Sequence, residues 1–275
     1  MPAARRLQKA IMHNPKIIFF DIDDTLYRKT TDTLRPSIAE AMRALKARGI
    51  LTAIATGRPE VAVPAKVRAV IEEVGIDLLV TINGQFIRYR GEVLDHNPLD
   101  KDGMAAMCAF FDAENIRYAF VAHDNIAVSE DTPEVVEAMS KILPQHPIDK
   151  DYYREHDVYQ MLAFYPAGQD ALVAPAAAEH GYKTIRWHET AIDMLDTQSS
   201  KARGIRIAIE KLGIDMEDVM AFGDGLNDIE MMQSVGFGVA MGNGHPDLKA
   251  VADYECPSVE EDGVLNGLKA LGVIA

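Results

Sequence analysis

The hydrophobic residues fall into short, nearly continuous runs, each of which ends in polar or glycine residues. The first run, Ile17–Phe20, leads directly into three aspartates in the stretch IIFFDIDDTL. Runs of this kind are typical of parallel strands that are covered on both faces of a sheet. Four later runs share the design and end in TGR, NG, GDG and GNG: Ile50–Arg58, Leu78–Gly84, Val219–Gly225 and Phe237–Gly244.

Helical patterns lie between these apolar runs. Ser37–Arg48 is followed by Gly49, and Ser200–Leu212 is followed by Gly213, so each pattern ends at a residue that stops helices. The alternation of strands and helices predicts an α/β fold with a doubly wound parallel sheet. Ligands of such sheets bind at the carboxyl ends of the strands. We therefore expect the polar ends of the runs to meet at one edge and to form a site.

The middle of the chain has a different pattern. Phe86–His96 and Tyr118–Glu130 each read as a hairpin, with turns at Arg-Gly and Asp-Asn, and helical segments follow them. This pattern predicts a separate α/β (α+β) domain inserted into the first one. We place the Rossmann-like core at residues 1–84 and 188–275, and the inserted domain at residues 85–187.

Length, charge and cysteine content narrow the class of protein. The 275 residues suit two modest domains, and the net charge of −14 disfavours nucleic acids and anionic membranes as partners. No apolar run approaches the roughly 20 residues of a membrane-spanning helix. Two cysteines without metal-type spacing indicate a reducing, cytoplasmic setting. The basic N-terminus lacks the apolar segment of a secretory signal, and Met12 is an alternative start to Met1. The oligomeric state is not predicted.

Four carboxylates form the main chemical signal. Asp21 and Asp23 share a face because they are two residues apart, and the stretch GDGLNDIEMM adds Asp224 and Asp228. Two carboxylates about 4 Å apart repel by roughly 4 kcal/mol at an effective dielectric constant near 20, so the group needs a cation. The donors are all oxygen atoms, which favours Mg²⁺, an ion that often bridges to phosphate. A single Asp-x-Asp could equally be a capped turn, and the second acidic loop favours the metal.

The order of these motifs resembles that of the haloacid dehalogenase superfamily, in particular its Cof-type phosphatases with a large α/β cap (class IIB). The first family motif, DxDxT, is similar to Asp21–Thr25, and the fourth, GDGxND, is similar to Gly223–Asp228. The second corresponds to Thr56 in IATGR and the third to Lys201 in SSKARGI. Asp24 departs from the family, where glycine is common, but aspartate tolerates unusual backbone angles.

The resemblance implies a role for each clustered residue. Asp21 would be the nucleophile that forms an aspartyl-phosphate, and Asp23 would be the general acid and then the general base. Asp21, Asp224 and the backbone carbonyl of Asp23 would bind Mg²⁺. Asp228 would be an outer ligand or a supporting partner of the ion. Lys201 would neutralise negative charge on the phosphoryl group and on Asp21.

Lys211 is the alternative to Lys201 as the family lysine. It lies late in the same predicted helix, where a cation satisfies the helix dipole. The motif order therefore favours Lys201 over Lys211.

The resemblance also indicates residues for the phosphoryl group and the substrate. Thr56 and the amide of Gly57 would bind phosphoryl oxygens. Arg58 would either add positive charge or pair with an acid, and Asn227 would hydrogen-bond polar groups of the site. Asn83 has two interpretations, a hydrogen bond to Asp23 or substrate, or a structural role in the Asn-Gly turn.

These expectations describe a Mg²⁺-dependent phosphatase of small phosphorylated metabolites, with sugar phosphates as candidates. The cap would close over the strand ends, exclude water and select the leaving group. Two alternatives stay open. A phosphomutase would use the same phosphoenzyme and return the phosphoryl group to the substrate, and a non-catalytic protein would only bind sugar phosphates.

Overall fold

The computed structural model describes residues 15–140 and 142–275, so the alternative start at Met12 lies outside the described residues. The chain divides into two compact units. The core domain comprises the residues up to Gly57 together with Val63–Asp95 and Ser200–Ala275. The inserted domain comprises Arg58–Ala62 and His96–Ser199.

The helices and strands alternate along the core segments, and the longest helix and the longest strand lie in the inserted domain. The strands are β1 (Ile17–Phe20), β2 (Tyr27–Arg28), β3 (Thr33–Leu34), β4 (Leu51–Ala55), β5 (Leu78–Thr81), β6 (Phe86–Tyr89), β7 (Glu92–His96), β8 (Arg117–Val121), β9 (Ile126–Val128), β10 (Gln160–Phe164), β11 (Tyr182–His188), β12 (Ala191–Asp196), β13 (Val219–Gly223), β14 (Phe237–Ala240) and β15 (Tyr254–Glu255). The helices are α1 (Ser37–Ala47), α2 (Ala65–Val74), α3 (Lys101–Ala113), α4 (Pro133–Met139), α5 (Asp170–Glu179), α6 (Lys201–Leu212), α7 (Ile229–Ser234), α8 (Pro246–Val251) and α9 (Gly263–Ala270). None of the helices in these described ranges is both long and apolar enough to cross a membrane.

The core sheet is doubly wound around β1. Its strand order is β15-β14-β13-β1-β4-β5-β6-β7, and the pairs from β15 to β5 are parallel. The chain proceeds from β1 through β4 to β5 on one side and from β13 to β15 on the other. The direction of winding therefore reverses at β1, which is where ligands of α/β sheets bind. The predicted α/β fold class is confirmed.

The strand β1 is buried on both faces, as its unbroken apolar sequence predicts. Ile18 and Phe20 belong to one hydrophobic cluster with residues of α1 and α9, whereas Ile17 and Phe19 belong to a second cluster with residues of α6 and α7. All four side chains are fully buried. Burial of each of these side chains stabilises the fold by about 1.5–3 kcal/mol. The strand β1 therefore holds the aspartates that follow it in a fixed position.

The inserted domain has an antiparallel sheet with the strand order β11-β12-β10-β8-β9. Alternate residues of its strands, such as Met161 and Met194, pack with side chains of α3 and α5. Asp193 is half-buried and precedes Met194 in β12, so its side chain points to the opposite face. Burial raises the pKa of the Asp193 carboxyl to about 7, although the Trp187 indole N–H beside it acts in the opposite direction.

The domain boundaries differ from the predicted positions at residues 84 and 187. The Phe86–His96 hairpin forms as predicted, with its turn at Arg90 and Gly91, but β6 pairs with β5 and thus extends the core sheet. At the other boundary, β12 pairs with β10, so the inserted domain continues to Ser199. Hydrophobic periodicity identified the strands but does not reveal their partners, which explains the shift.

Candidate active site

The acidic residues reach one edge of the core sheet because β1 and β13 are neighbours. Asp21 follows β1, and its backbone N–H donates to the Phe222 carbonyl oxygen over 3.0 Å, which continues the parallel ladder. Asp224 follows β13 directly. The side chains of Asp21 and Asp224 therefore meet where the two strands end, as the sequence predicts.

Lys201 lies between two carboxylates. It is the first residue of α6, whose N-cap Ser200 accepts a hydrogen bond from the Arg203 backbone N–H over 3.1 Å. The Nζ atom of Lys201 donates to Asp21 Oδ1 over 2.6 Å and to Asp228 Oδ1 over 2.7 Å, and the side chain is buried. Burial alone would lower the pKa of Lys201, but the two carboxylates outweigh it and raise the pKa above its ordinary value.

The carboxylates carry more negative charge than Lys201 balances. Burial raises the pKa of Asp21 well above its ordinary value, and Lys201 opposes this shift. Burial, followed by the charges of Asp228 and Asp24, raises the pKa of Asp224 to about 7. A further cation at this position would favour the ionised carboxylates.

Three acids are close enough to share a metal ion. Asp21, Asp224 and Asp228 each place an oxygen atom within 4.8 Å of the others. A donor set of carboxylate oxygens alone fits Mg²⁺. Within residues 15–140 and 142–275, this group does not include the carboxylate of Asp23, whose predicted ligand atom is its backbone carbonyl oxygen.

Asp228 supports the acidic loop in addition to contacting Lys201. Its Oδ2 atom accepts the backbone N–H groups of Asp224 and Gly225 over 3.1 and 3.0 Å, while Oδ1 accepts from Lys201. Both oxygens of this fully buried carboxylate are therefore engaged with the protein. The contacts favour the expected supporting role over direct metal binding.

A close contact between two glycines determines how near α6 approaches the strand ends. A Cβ atom added to Gly204 would lie 2.5 Å from Val80 Cγ1 and 2.6 Å from Gly84 Cα. Real side chains do not tolerate such distances. The absence of side chains at Gly84 and Gly204 thus allows the first turn of α6, with Lys201, to lie against the end of β5.

The loop after β4 is tied to the end of β5. The Thr56 N–H donates to the Val80 carbonyl oxygen over 2.9 Å, and the Asn83 N–H donates to the Thr56 carbonyl oxygen over 3.1 Å. Residues Ile82, Asn83 and Gly84 have φ angles of 50°, 50° and 86°. Left-handed backbone costs an L-residue about 1–2 kcal/mol and is rare for a β-branched one such as Ile82, so this turn is strained.

Comparison with known proteins identifies the family of the chain. The haloacid dehalogenase-like hydrolase profile matches residues 18–268. The chain belongs to this hydrolase family. It is 36% identical over 264 residues to the Bacillus subtilis protein named "Putative phosphatase YkrA", covering 94% of this chain and 98% of that one.

Solved structures of the family have the same architecture. A hypothetical protein from Geobacillus kaustophilus HTA426 is 40% identical, with a TM-score of 0.87 over 94% of this chain and 100% of its own. The haloacid dehalogenase subclass IIB sugar phosphatase BT4131 is 31% identical, with a TM-score of 0.82 over the same shares. The predicted membership, a Cof-type haloacid dehalogenase phosphatase with an inserted α/β domain, is confirmed.

Three residues considered for the family site have contacts elsewhere. Arg58 groups with the inserted domain and donates from Nη1 to the Ala62 carbonyl oxygen over 2.8 Å. Asn227 is exposed, and its Oδ1 atom lies against Gly225. Lys211 donates to the Leu94 carbonyl oxygen and to Asp95 Oδ1 over 2.8 and 2.7 Å. These contacts involve none of the three clustered carboxylates, and those of Lys211 leave Lys201 as the lysine of the cluster.

Asn243, which lies at the polar end of the Phe237–Gly244 run, links two segments beside the site. Its Nδ2 atom donates to the Asp24 carbonyl oxygen over 2.8 Å, and its Oδ1 atom accepts from the Val259 N–H over 2.8 Å. Asp24 has a φ angle of 60°, and its carboxylate pairs with Arg28 and Lys29. Asn243 thus joins the DxDxT loop to the C-terminal segment. Its place at a polar run end was the available signal, but the sequence did not identify its partners.

Proposed function

We propose that the chain is a Mg²⁺-dependent phosphatase that hydrolyses small phosphorylated metabolites through an aspartyl-phosphate on Asp21. The observation that carries the proposal is the buried position of Lys201, with its Nζ 2.6 Å from Asp21 and 2.7 Å from Asp228. A buried cation holds the Asp21 carboxylate in a fixed orientation and offsets part of the charge of an incoming phosphate.

The metal would be held by Asp21, Asp224 and the backbone carbonyl of Asp23, while Asp228 orients the loop. Bound Mg²⁺ would supply positive charge that offsets the carboxylates and polarises the phosphoryl oxygens. Thr56 and the Gly57 amide would bind the remaining phosphoryl oxygens, because both follow β4 at the same edge of the sheet.

In the proposed reaction, Asp21 forms and breaks the bonds to phosphorus, and Asp23 transfers the protons. A carboxylate oxygen of Asp21 attacks phosphorus as the bond to the ester oxygen breaks, and the leaving alkoxide takes a proton from Asp23. Asp23, now a carboxylate, removes a proton from water, and this water attacks the phosphorus of the aspartyl-phosphate. Cleavage of the bond between Asp21 and phosphorus releases inorganic phosphate and restores the enzyme. Lys201 neutralises charge in both steps.

The substrate class rests on general features and on one relative. The charge of −14 disfavours polyanions such as nucleic acids, so a small anion in a locally positive site is the better partner. BT4131, which is 31% identical, is a sugar phosphatase, and this supports sugar phosphates as substrates. Both cysteines are free and buried, which is consistent with a reducing cytoplasm as the proposed location.

Phosphate release from p-nitrophenyl phosphate tests the proposal. We expect turnover with Mg²⁺, loss of turnover with EDTA, and a decrease of about three orders of magnitude or more in Asp21→Asn. Asp215→Asn, which changes an exposed aspartate, is the matched control and retains activity. Turnover that survives in Asp21→Asn would exclude the proposed nucleophile. In a second assay the protein is incubated with a sugar phosphate. Formation of an isomeric sugar phosphate with little free phosphate would instead indicate a phosphomutase.

A further inference from the structure

The strained turn after β5 directs a polar side chain towards the loop after β4. Ile82, Asn83 and Gly84 are consecutive left-handed residues, and such strain persists only where the surroundings fix it. The Thr56 carbonyl oxygen accepts the Asn83 N–H over 3.1 Å. Gly84 lies so close to the Ser200 carbonyl oxygen that a side chain there would overlap it. The turn is thus held from both sides.

The carboxamide of Asn83 lies beside Gly57 as a result. A Cβ atom added to Gly57 would be 3.2 Å from Asn83 Oδ1 and 3.3 Å from Asn83 Nδ2. Asn83 is 9% exposed. Its side chain makes no hydrogen bond to any residue in the ranges 15–140 and 142–275. The hydrogen-bonding atoms of this carboxamide are therefore available to a ligand that contacts Gly57.

We propose that Asn83 is a substrate-binding residue whose Nδ2 donates a hydrogen bond to an oxygen of the substrate's phosphoryl group. This inference rests on the proposed function, in which Thr56 and Gly57 bind the same group. The phosphoryl oxygens are negatively charged acceptors, and a neutral carboxamide donor binds them without adding charge to the site. The strained turn maintains this donor in position before the substrate arrives.

The test measures the binding of inorganic phosphate to the Mg²⁺-loaded protein by calorimetry. Asn83→Gly keeps a residue that accepts the left-handed conformation and removes only the carboxamide. Asn83→Asp keeps the size of the side chain, but replaces the donor with a negative charge. We expect phosphate affinity to fall about 10-fold in Asn83→Gly and by about 100-fold or more in Asn83→Asp.

The matched controls are Asn115→Gly and Asn115→Asp in the inserted domain. Asn115 also has a left-handed backbone, with a φ angle of 56°, but it is exposed and its Oδ1 accepts from Arg117. Phosphate affinity should stay within twofold in both controls. If the Asn83 variants lose thermal stability but bind phosphate like the wild type, the residue is only structural and the inference is wrong. A wild-type protein that neither binds phosphate nor hydrolyses p-nitrophenyl phosphate would overturn the proposed function and this inference with it.

Discussion

The two domains each bury an acidic side chain in or beside a sheet, but they stabilise it in different ways. In the core, the buried acids Asp21 and Asp228 share the ammonium group of Lys201. In the inserted domain, the pKa of Asp193 rises to about 7 through burial, and its neighbour is the neutral indole of Trp187. Burial raises the pKa of Asp21 as well, but the adjacent ammonium group of Lys201 opposes that shift, whereas no cation in the described part of the chain does so for Asp193. The difference between the two domains is therefore the buried cation beside the acids of the proposed active site.

The largest expected effect comes from removing the shared cation. Lys201→Met leaves two buried carboxylates without their partner, which should lower the free energy of unfolding by about 3–5 kcal/mol and abolish turnover. Lys211→Met is the matched control on the same helix. Lys211 is 43% exposed and pairs with Asp95, so its loss should cost at most about 1 kcal/mol. Chemical denaturation of the two variants and the wild type measures the free energy of unfolding. Equal decreases in Lys201→Met and Lys211→Met would show that the buried lysine is no more important for stability than the exposed one.

The second prediction concerns Asp193, the acid of the inserted domain that has no adjacent cation among the described residues. Below a pH of about 4, Asp193 is protonated in both the folded and the unfolded chain. Between that pH and about 7 the folded protein keeps the proton and the unfolded chain releases it, so stability falls as the pH rises and levels off above 7. At pH 8, Asp193→Asn should therefore be more stable than the wild type by roughly 1–3 kcal/mol, a value reduced for partial exposure.

This difference between Asp193→Asn and the wild type should be smaller at pH 5, which thermal unfolding at the two pH values can measure. Asp215→Asn, at an exposed position, is again the control and is measured at the same two pH values. A stability difference that does not change between pH 5 and pH 8 would mean that Asp193 is ionised in the folded protein.

The smallest expected effect concerns a single hydrogen bond of the charged cluster. The buried hydroxyl of Thr25 donates to Asp224 Oδ1 over 3.2 Å and favours the ionised form of that acid. Thr25→Val keeps the shape of the side chain and should lower the free energy of unfolding by about 1–2 kcal/mol. It should also raise the Mg²⁺ concentration needed for half-maximal activity. Thr25→Ser retains the donor and should stay close to the wild type in both measurements. If Val and Ser behave alike, the hydroxyl has no influence on the metal site.

The sequence predicted the elements better than their partners. The apolar runs and their polar ends gave the parallel strands, because burial on both faces leaves a local pattern. The Phe86–His96 hairpin was predicted too, but its pairing with β5 depends on residues distant in the chain. At the site, the order of the motifs predicted that Lys201 and the acids would lie close together. The bridge made by Asn243 and the left-handed Ile82 could not be predicted, since tertiary contacts override local preference at both residues.

The contact between Gly84 and Gly204 has a consequence for protein engineering. Gly204 lies inside α6, where alanine normally stabilises a helix by about 0.5–1 kcal/mol relative to glycine. A stabilisation campaign that replaces helical glycines would therefore select this position early. The added methyl group would instead separate the helix from the end of β5 and draw Lys201 away from Asp21. At this position the helix retains a residue that weakens it, because the approach of α6 to the end of β5 leaves no room for a side chain.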